Sequence, residues 1–281
     1  MTAIQSDPPS QPFRFLDLPT ELRFMVYEQI PINIQHTVLE LSRLLRRRQH
    51  PESTREPTVT LVSYSASLPL LQTCRTIQSE ATPFLERKVE ALGEEPIRFI
   101  VDLDDANYSF PALNIAIGCL RWAKRLVNQE DTEIRDMATA LLNDLNDPLE
   151  RRLRADSADP QILESFLTFF AHHLAEKIGY LRSREIQQQF PEFEIAITLH
   201  PSNWGPPDLA FCILGLHDYC FQKQIRCGVM TKGAWIEKDM VSVGNLRRDI
   251  RREIDRGKPW IHALRELDGE EWTRNWGGKD A

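Results

Sequence analysis

Apolar positions along this chain alternate between two spacings, and the switching divides it into elements. Leu18, Leu22, Met25, Val26 and Ile30 recur at intervals of three and four, the period of a helix with one apolar face. Pro19 suits the first helical position, where its missing N–H costs nothing, and Glu21 sits favourably in the first turn. Pro31 stops the run. The spacing of Val38, Leu41, Leu44 and Leu45 predicts a short helix over 33–45. From 46 to 57 the stretch RRRQHPESTREP has no apolar period and reads as a charged loop. Residues 59–64, rich in β-branched side chains, predict a short strand.

A second helix is expected from Pro69, with Leu70, Cys74, Ile77, Ala81, Phe84 and Leu85 on one face. Pro83 lacks a donor and disfavours helix at Thr82, so a break or kink is expected there. Ile97, Phe99 and Val101 predict a strand over 96–102, and residues 112–127 a helix. Residues 128–159 read as an exposed connection. Asp159 followed by Pro160 opens a long helix to about Gln189, with Phe166, Phe170 and Leu174 in its buried stripe. Residues 193–199 alternate most regularly and predict a strand. Beyond them the pattern gives a helix over 209–222 and a weaker strand over 224–231. A charge-rich helix carries Leu246, Ile250 and Ile254, and a last helix begins at Trp260, Ile261 and Leu264.

The sum is an α+β chain. A polar leader, residues 1–12, is expected to be disordered. A mostly helical region spans 13–95, with an insert at 31–67, and a mixed helix and strand body spans 96–281, read as the partner-binding region.

Composition changes this picture little. Of 281 residues, 42% are apolar and 27% charged, an ordinary globular balance. The net charge of −7 argues against general nucleic-acid affinity, which needs a basic face. No apolar run has the length to span a bilayer, and the first residues lack the apolar core of a secretion signal. Five irregularly spaced cysteines read as reduced thiols, so the cytoplasm or nucleus is the expected location. Arg46, Arg47 and Arg48 form a basic cluster of the kind that can direct nuclear import; a solvated loop is the plainer reading.

Candidate chemistry is sparse. Cys212, His217, Cys220 and Cys227 are the nearest approach to a zinc set, yet they lack the tight pairs that structural zinc sites use. Asp102, Asp104 and Asp105 end a predicted strand, where carboxylates can hold magnesium, but no second acidic pair is placed near them. His172 and His173 are adjacent on a helix and diverge by about 100°. No metal, cofactor or catalytic residue is expected. A cryptic metal-dependent hydrolase is the minority alternative.

The most specific signal lies in two segments, FRFLDLPTELRFMVYEQI at 13–30 and LPLLQTCRTIQSEATPFLERK at 68–88. Together they resemble fungal F-box-like proteins, which read approximately LPxELRxxIYE, then LLxxCRxIxxEAxPxF. Here residues 31–67 separate the halves. In the wider F-box class the first helices dock on the small adaptor subunit of a cullin-type ubiquitin ligase, while the remainder captures a substrate. By that resemblance Leu18, Pro19, Glu21 and Leu22 belong to the adaptor-facing helix, and Leu71, Cys74 and Arg75 to the later one. The resemblance implies a non-catalytic protein–protein interaction role. The alternative is a structural protein of the same family with no ligase partner.

Overall fold

The computed structural model describes residues 14–41, 58–66, 69–103, 109–127, 139, 160–183, 191–199, 216, 220, 227–232 and 261–277. The chain divides into two compact units, Met1–Asn33 with Ser65–Leu92, and Ile34–Tyr64 with Gly93–Ala281. The fold is α+β.

The first unit is a helix pair. A short turn, Phe15–Asp17, leads into α1, Thr20–Glu28. Pro19 stands just outside α1 as its cap, and its carbonyl accepts from the N–H groups of Leu22 and Arg23. After a second short turn, Pro69–Gln72, helix α2 runs Arg75–Glu94. The helix runs unbroken through Pro83. Ile77, Ala81 and Leu85 are buried on either side of it, and their packing holds the helix together, while Pro83 faces outward. Cys74 caps α2: its Sγ accepts from the Ile77 N–H at 3.5 Å.

The second unit is built on a six-stranded sheet in the order β1 to β6. The strands are β1, Ile32–Glu40; β2, Thr58–Ala66; β3, Ile97–Leu103; β4, Phe193–Leu199; β5, Cys227–Lys232; and β6, Ile261–Glu266. β2 and β3 are antiparallel, and β3, β4, β5 and β6 run parallel. Between β3 and β4 the chain forms α3, Ser109–Val127, and α4, Pro160–Ser183.

Two of these strands correct the helical readings. Residues 33–45 hold most of β1, where β-branched Ile34, Thr37 and Val38 favour extended backbone and Leu39 enters the core. Residues 261–266 form β6 despite containing good helix formers, because pairing with β5 overrides local propensity. The helices expected over 209–222 and around 246–254 lie outside the described residues apart from Leu216 and Cys220, as does the leader.

Strand alternation sorts side chains onto two faces. Phe99, Val101, Ile195, Ile197 and Val229 point to one face and pack with α3 and α4 into the main core. Phe170 of α4 lies 5.5 Å from the Phe99 ring and 5.8 Å from that of Trp122. The opposite face carries Val62, Ile100, Ala196 and Met230, covered by Trp272 and Trp276 of a last helix, α5, Gly269–Trp276.

Helix α5 is defined at both ends. Asp268 Oδ1 accepts from the Glu271 N–H at 2.7 Å, and Gly277 adopts the left-handed conformation at φ 63°. Its last carbonyls, which a helix leaves without partners, find donors on neighbouring strands. His36 Nε2 lies 2.6 Å from the Trp276 carbonyl, and the Tyr64 hydroxyl donates to that of Asn275 at 2.5 Å. Beneath them Arg98 is buried on the sheet. It donates to Glu194 at 2.6 Å, to Glu95 at 2.7 Å and to the Tyr64 hydroxyl, and it lies 5.6 Å from both the Tyr64 and Trp276 rings. Such complete pairing is what lets a charge sit in an apolar layer.

Candidate functional site

The two motif segments meet within the first unit, in a small core of Tyr27, Ile30, Ile77, Ala81 and Leu85. Phe15, Leu71, Cys74 and Phe84 pack against it. The rings of Phe24 and Phe84 lie 5.2 Å apart, and those of Phe15 and Tyr27 5.7 Å. At nine residues α1 would not be stable alone, so it depends on the apolar face of α2. Lys88 completes the joint: its ammonium donates to the carbonyls of Glu28 and Ile30 at the end of α1, at 2.7 and 2.5 Å.

The face of α1 that packs is not the one its sequence stripe predicts. Instead Tyr27 fills the core, while Leu22, Met25 and Val26 are 45%, 61% and 46% exposed. At about 100° per residue these three lie on one strip of the helix. The aromatic ring of Tyr27 fills the gap beside α2 more fully than the stripe would, and its polar end has a partner there.

That partner is Glu80 of α2. Arg23 donates to its two carboxylate oxygens from Nε at 2.9 Å and from Nη2 at 2.7 Å, and the Tyr27 hydroxyl donates at 3.0 Å. The Arg23 side chain is 12% exposed and that of Glu80 17%. Hydrogen bonding to Arg23 holds the Glu80 carboxyl below the usual carboxylate range, and the same bond raises Arg23. Burial, together with Glu80, pushes the Tyr27 phenol up to about 12.

The residues nominated from sequence separate into two groups. Pro19, Glu21 and Leu22 are exposed, and Leu18 is half-buried. Leu71 and Cys74 pack against the unit's own core, whereas Arg75 is exposed. Arg23, Tyr27 and Glu80 were missed, although all three lie within the quoted motif segments. The signal was an Arg in one segment and a Glu in the other, with no reason visible in sequence for either.

The chemical candidates gather no site among the described residues. Asp102 accepts from the Thr198 hydroxyl at 2.9 Å, while Asp104 and Asp105 lie outside those residues. Cys220 and Cys227 are buried, and a hydrogen bond with Cys220, together with burial, pushes the Cys227 thiol up; Cys212 and His217 are not described. Among the described residues no three His, Cys, Asp or Glu side chains are grouped to hold a metal. Among them, too, no helix is long and apolar enough to cross a membrane. His172 is exposed and His173 half-buried, as adjacent helical positions require. No protein-family model, curated protein or solved structure matches the chain.

Proposed function

We propose that this is a non-catalytic, F-box-like interaction protein of the cytoplasm or nucleus. Its N-terminal helix pair docks the small adaptor subunit of a cullin-type ubiquitin ligase, and its α+β body recruits a cargo protein. The observation that carries this reading is the exposed strip Leu22, Met25 and Val26 on α1. An amphipathic helix ordinarily turns such a strip inward, and clustered exposed apolar side chains mark interaction surfaces. The motif resemblance supplies the occupant: this helix is the adaptor-facing one in the F-box class.

The test is affinity purification of the tagged full-length chain from a fungal lysate, read by mass spectrometry. Stoichiometric recovery of the adaptor and cullin subunits is expected. Their absence, with other proteins recovered, would favour an interaction protein of the same family that has no ligase partner.

A further inference from the structure

Arg23 does more than pair with Glu80. Its Nη1 donates to the carbonyls of Leu16 and Leu18, at 3.1 and 2.6 Å, and its Nη2 also reaches the Thr20 hydroxyl at 3.2 Å. Leu16 and Leu18 belong to the turn that precedes α1. The turn has two backbone bonds of its own, Asp17 N–H to the Arg14 carbonyl at 3.0 Å and Leu18 N–H to that of Phe15 at 3.2 Å. A single turn of this kind holds its shape poorly without outside contacts. Yet it carries Leu16, whose side chain is 45% exposed.

We propose that Arg23 is the positioning residue of the docking surface. One arm of the guanidinium fixes the leading turn against α1, and the other two nitrogens tie α1 to Glu80 on α2. Leu16 from the turn and Leu22, Met25 and Val26 from the helix therefore reach a partner in one fixed arrangement. The use of that arrangement rests on the docking reading above; the fixing of the turn does not. Lysine cannot replace Arg23, because a single ammonium lacks the planar fork that spans a carboxylate and two carbonyls at once.

Hydrogen exchange on the full-length chain, with Arg23→Lys and Glu80→Gln, tests this. In Arg23→Lys the amides of Asp17 and Leu18 are expected to exchange at least about tenfold faster, with the Tyr27 amide inside α1 little changed. Glu80→Gln keeps both carbonyl contacts and is expected to leave the turn within about twofold of the parent. In parallel, adaptor affinity measured by calorimetry is expected to fall about tenfold in Arg23→Lys and less than about threefold in Glu80→Gln. Unchanged turn exchange in Arg23→Lys would overturn the proposal. So would equal loss of turn protection in Glu80→Gln, or release of Tyr27 together with the turn, since either makes Arg23 a general fold residue. If the parent chain takes no adaptor, the docking reading fails, and the exchange experiment still decides what Arg23 does.

Discussion

Arg23 and Glu80 stand 57 residues apart, on two different helices, and are joined by two hydrogen bonds of 2.9 and 2.7 Å. The pair joins the two motif segments, each supplying half of one forked contact. It also sets how α1 is turned. With Arg23 and Tyr27 both directed at Glu80, the strip of Leu22, Met25 and Val26 is left outside.

Tyr27→Phe removes one hydrogen bond while leaving Glu80 paired with Arg23, so a loss of about 1 kcal/mol is expected. The pH dependence is more diagnostic. The folded phenol titrates near 12, against about 10 in the unfolded chain. The folded state keeps its proton longer, so this contribution is complete below pH 10 and is lost as pH rises from about 10 to 12. Chemical denaturation across that range should show the decline in the parent and a shallower one in Tyr27→Phe. Identical alkaline limbs would refute it.

Glu80 should act at the opposite end of the pH scale. Its folded pKa is lowered, so its contribution is present above the unfolded value of about 4.3 and disappears as pH falls through the folded one. Glu80→Gln is expected to flatten the acid dependence of the helix pair, followed by Tyr27 fluorescence or amide signals. An unaltered acid transition would contradict the pairing.

His173 provides a separate test in the second unit. Burial first, then the neighbouring Lys177 charge, depresses its pKa to about 4, against about 6.5 when unfolded. The unfolded chain therefore takes up a proton that the folded chain refuses, and stability falls as pH drops from about 6.5 to 4. His173→Gln should remove part of that fall, measured as urea midpoints at neutral and acid pH. Equal falls in both proteins would count against a half-buried, neutral imidazole.

Gly277 closes α5 with φ at 63°, and a Cβ there would lie 2.9 Å from Ile34 Cγ2 and 3.2 Å from His36 Nε2. The left-handed backbone alone costs an L-residue about 1–2 kcal/mol. Gly277→Ala is thus expected to loosen α5, with a lower Tm and a red shift of the emission of Trp272 and Trp276. A variant with parental Tm and emission would show that the cap does not fix the helix.

Much of the fold was legible where one physical rule dominates. The alternation from Phe193 to Leu199 marked β4 because Phe193, Ile195 and Ile197 share one strand face, which enters the main core. Pro160 marked the start of α4 because its ring favours a first helical turn. Residues 261–266 misled because their strand exists only through pairing with a distant segment. Helix α5 was not read from the sequence, although Asp268 and Gly277 stand nine residues apart as a cap and a left-handed stop, with Trp272 and Trp276 one turn apart between them. The candidate site was half legible. The two motif segments cover both helices of the first unit, but their apolar periodicity alone does not show that Leu22 and Val26 face outward. Only the Arg23, Tyr27 and Glu80 contacts, invisible to periodicity, turn them out.

Calorimetric titration of the purified full-length chain with the ligase adaptor decides whether the outward strip Leu22, Met25 and Val26 is a docking surface. Leu22→Asp and Met25→Asp alter exposed side chains, so their Tm should stay close to the parent's, with stability changed by less than about 0.5 kcal/mol. The parent is expected to bind measurably, with affinity weakened at least about tenfold by either substitution. No heat of binding from the parent, or equal binding by the folded variants, would contradict it.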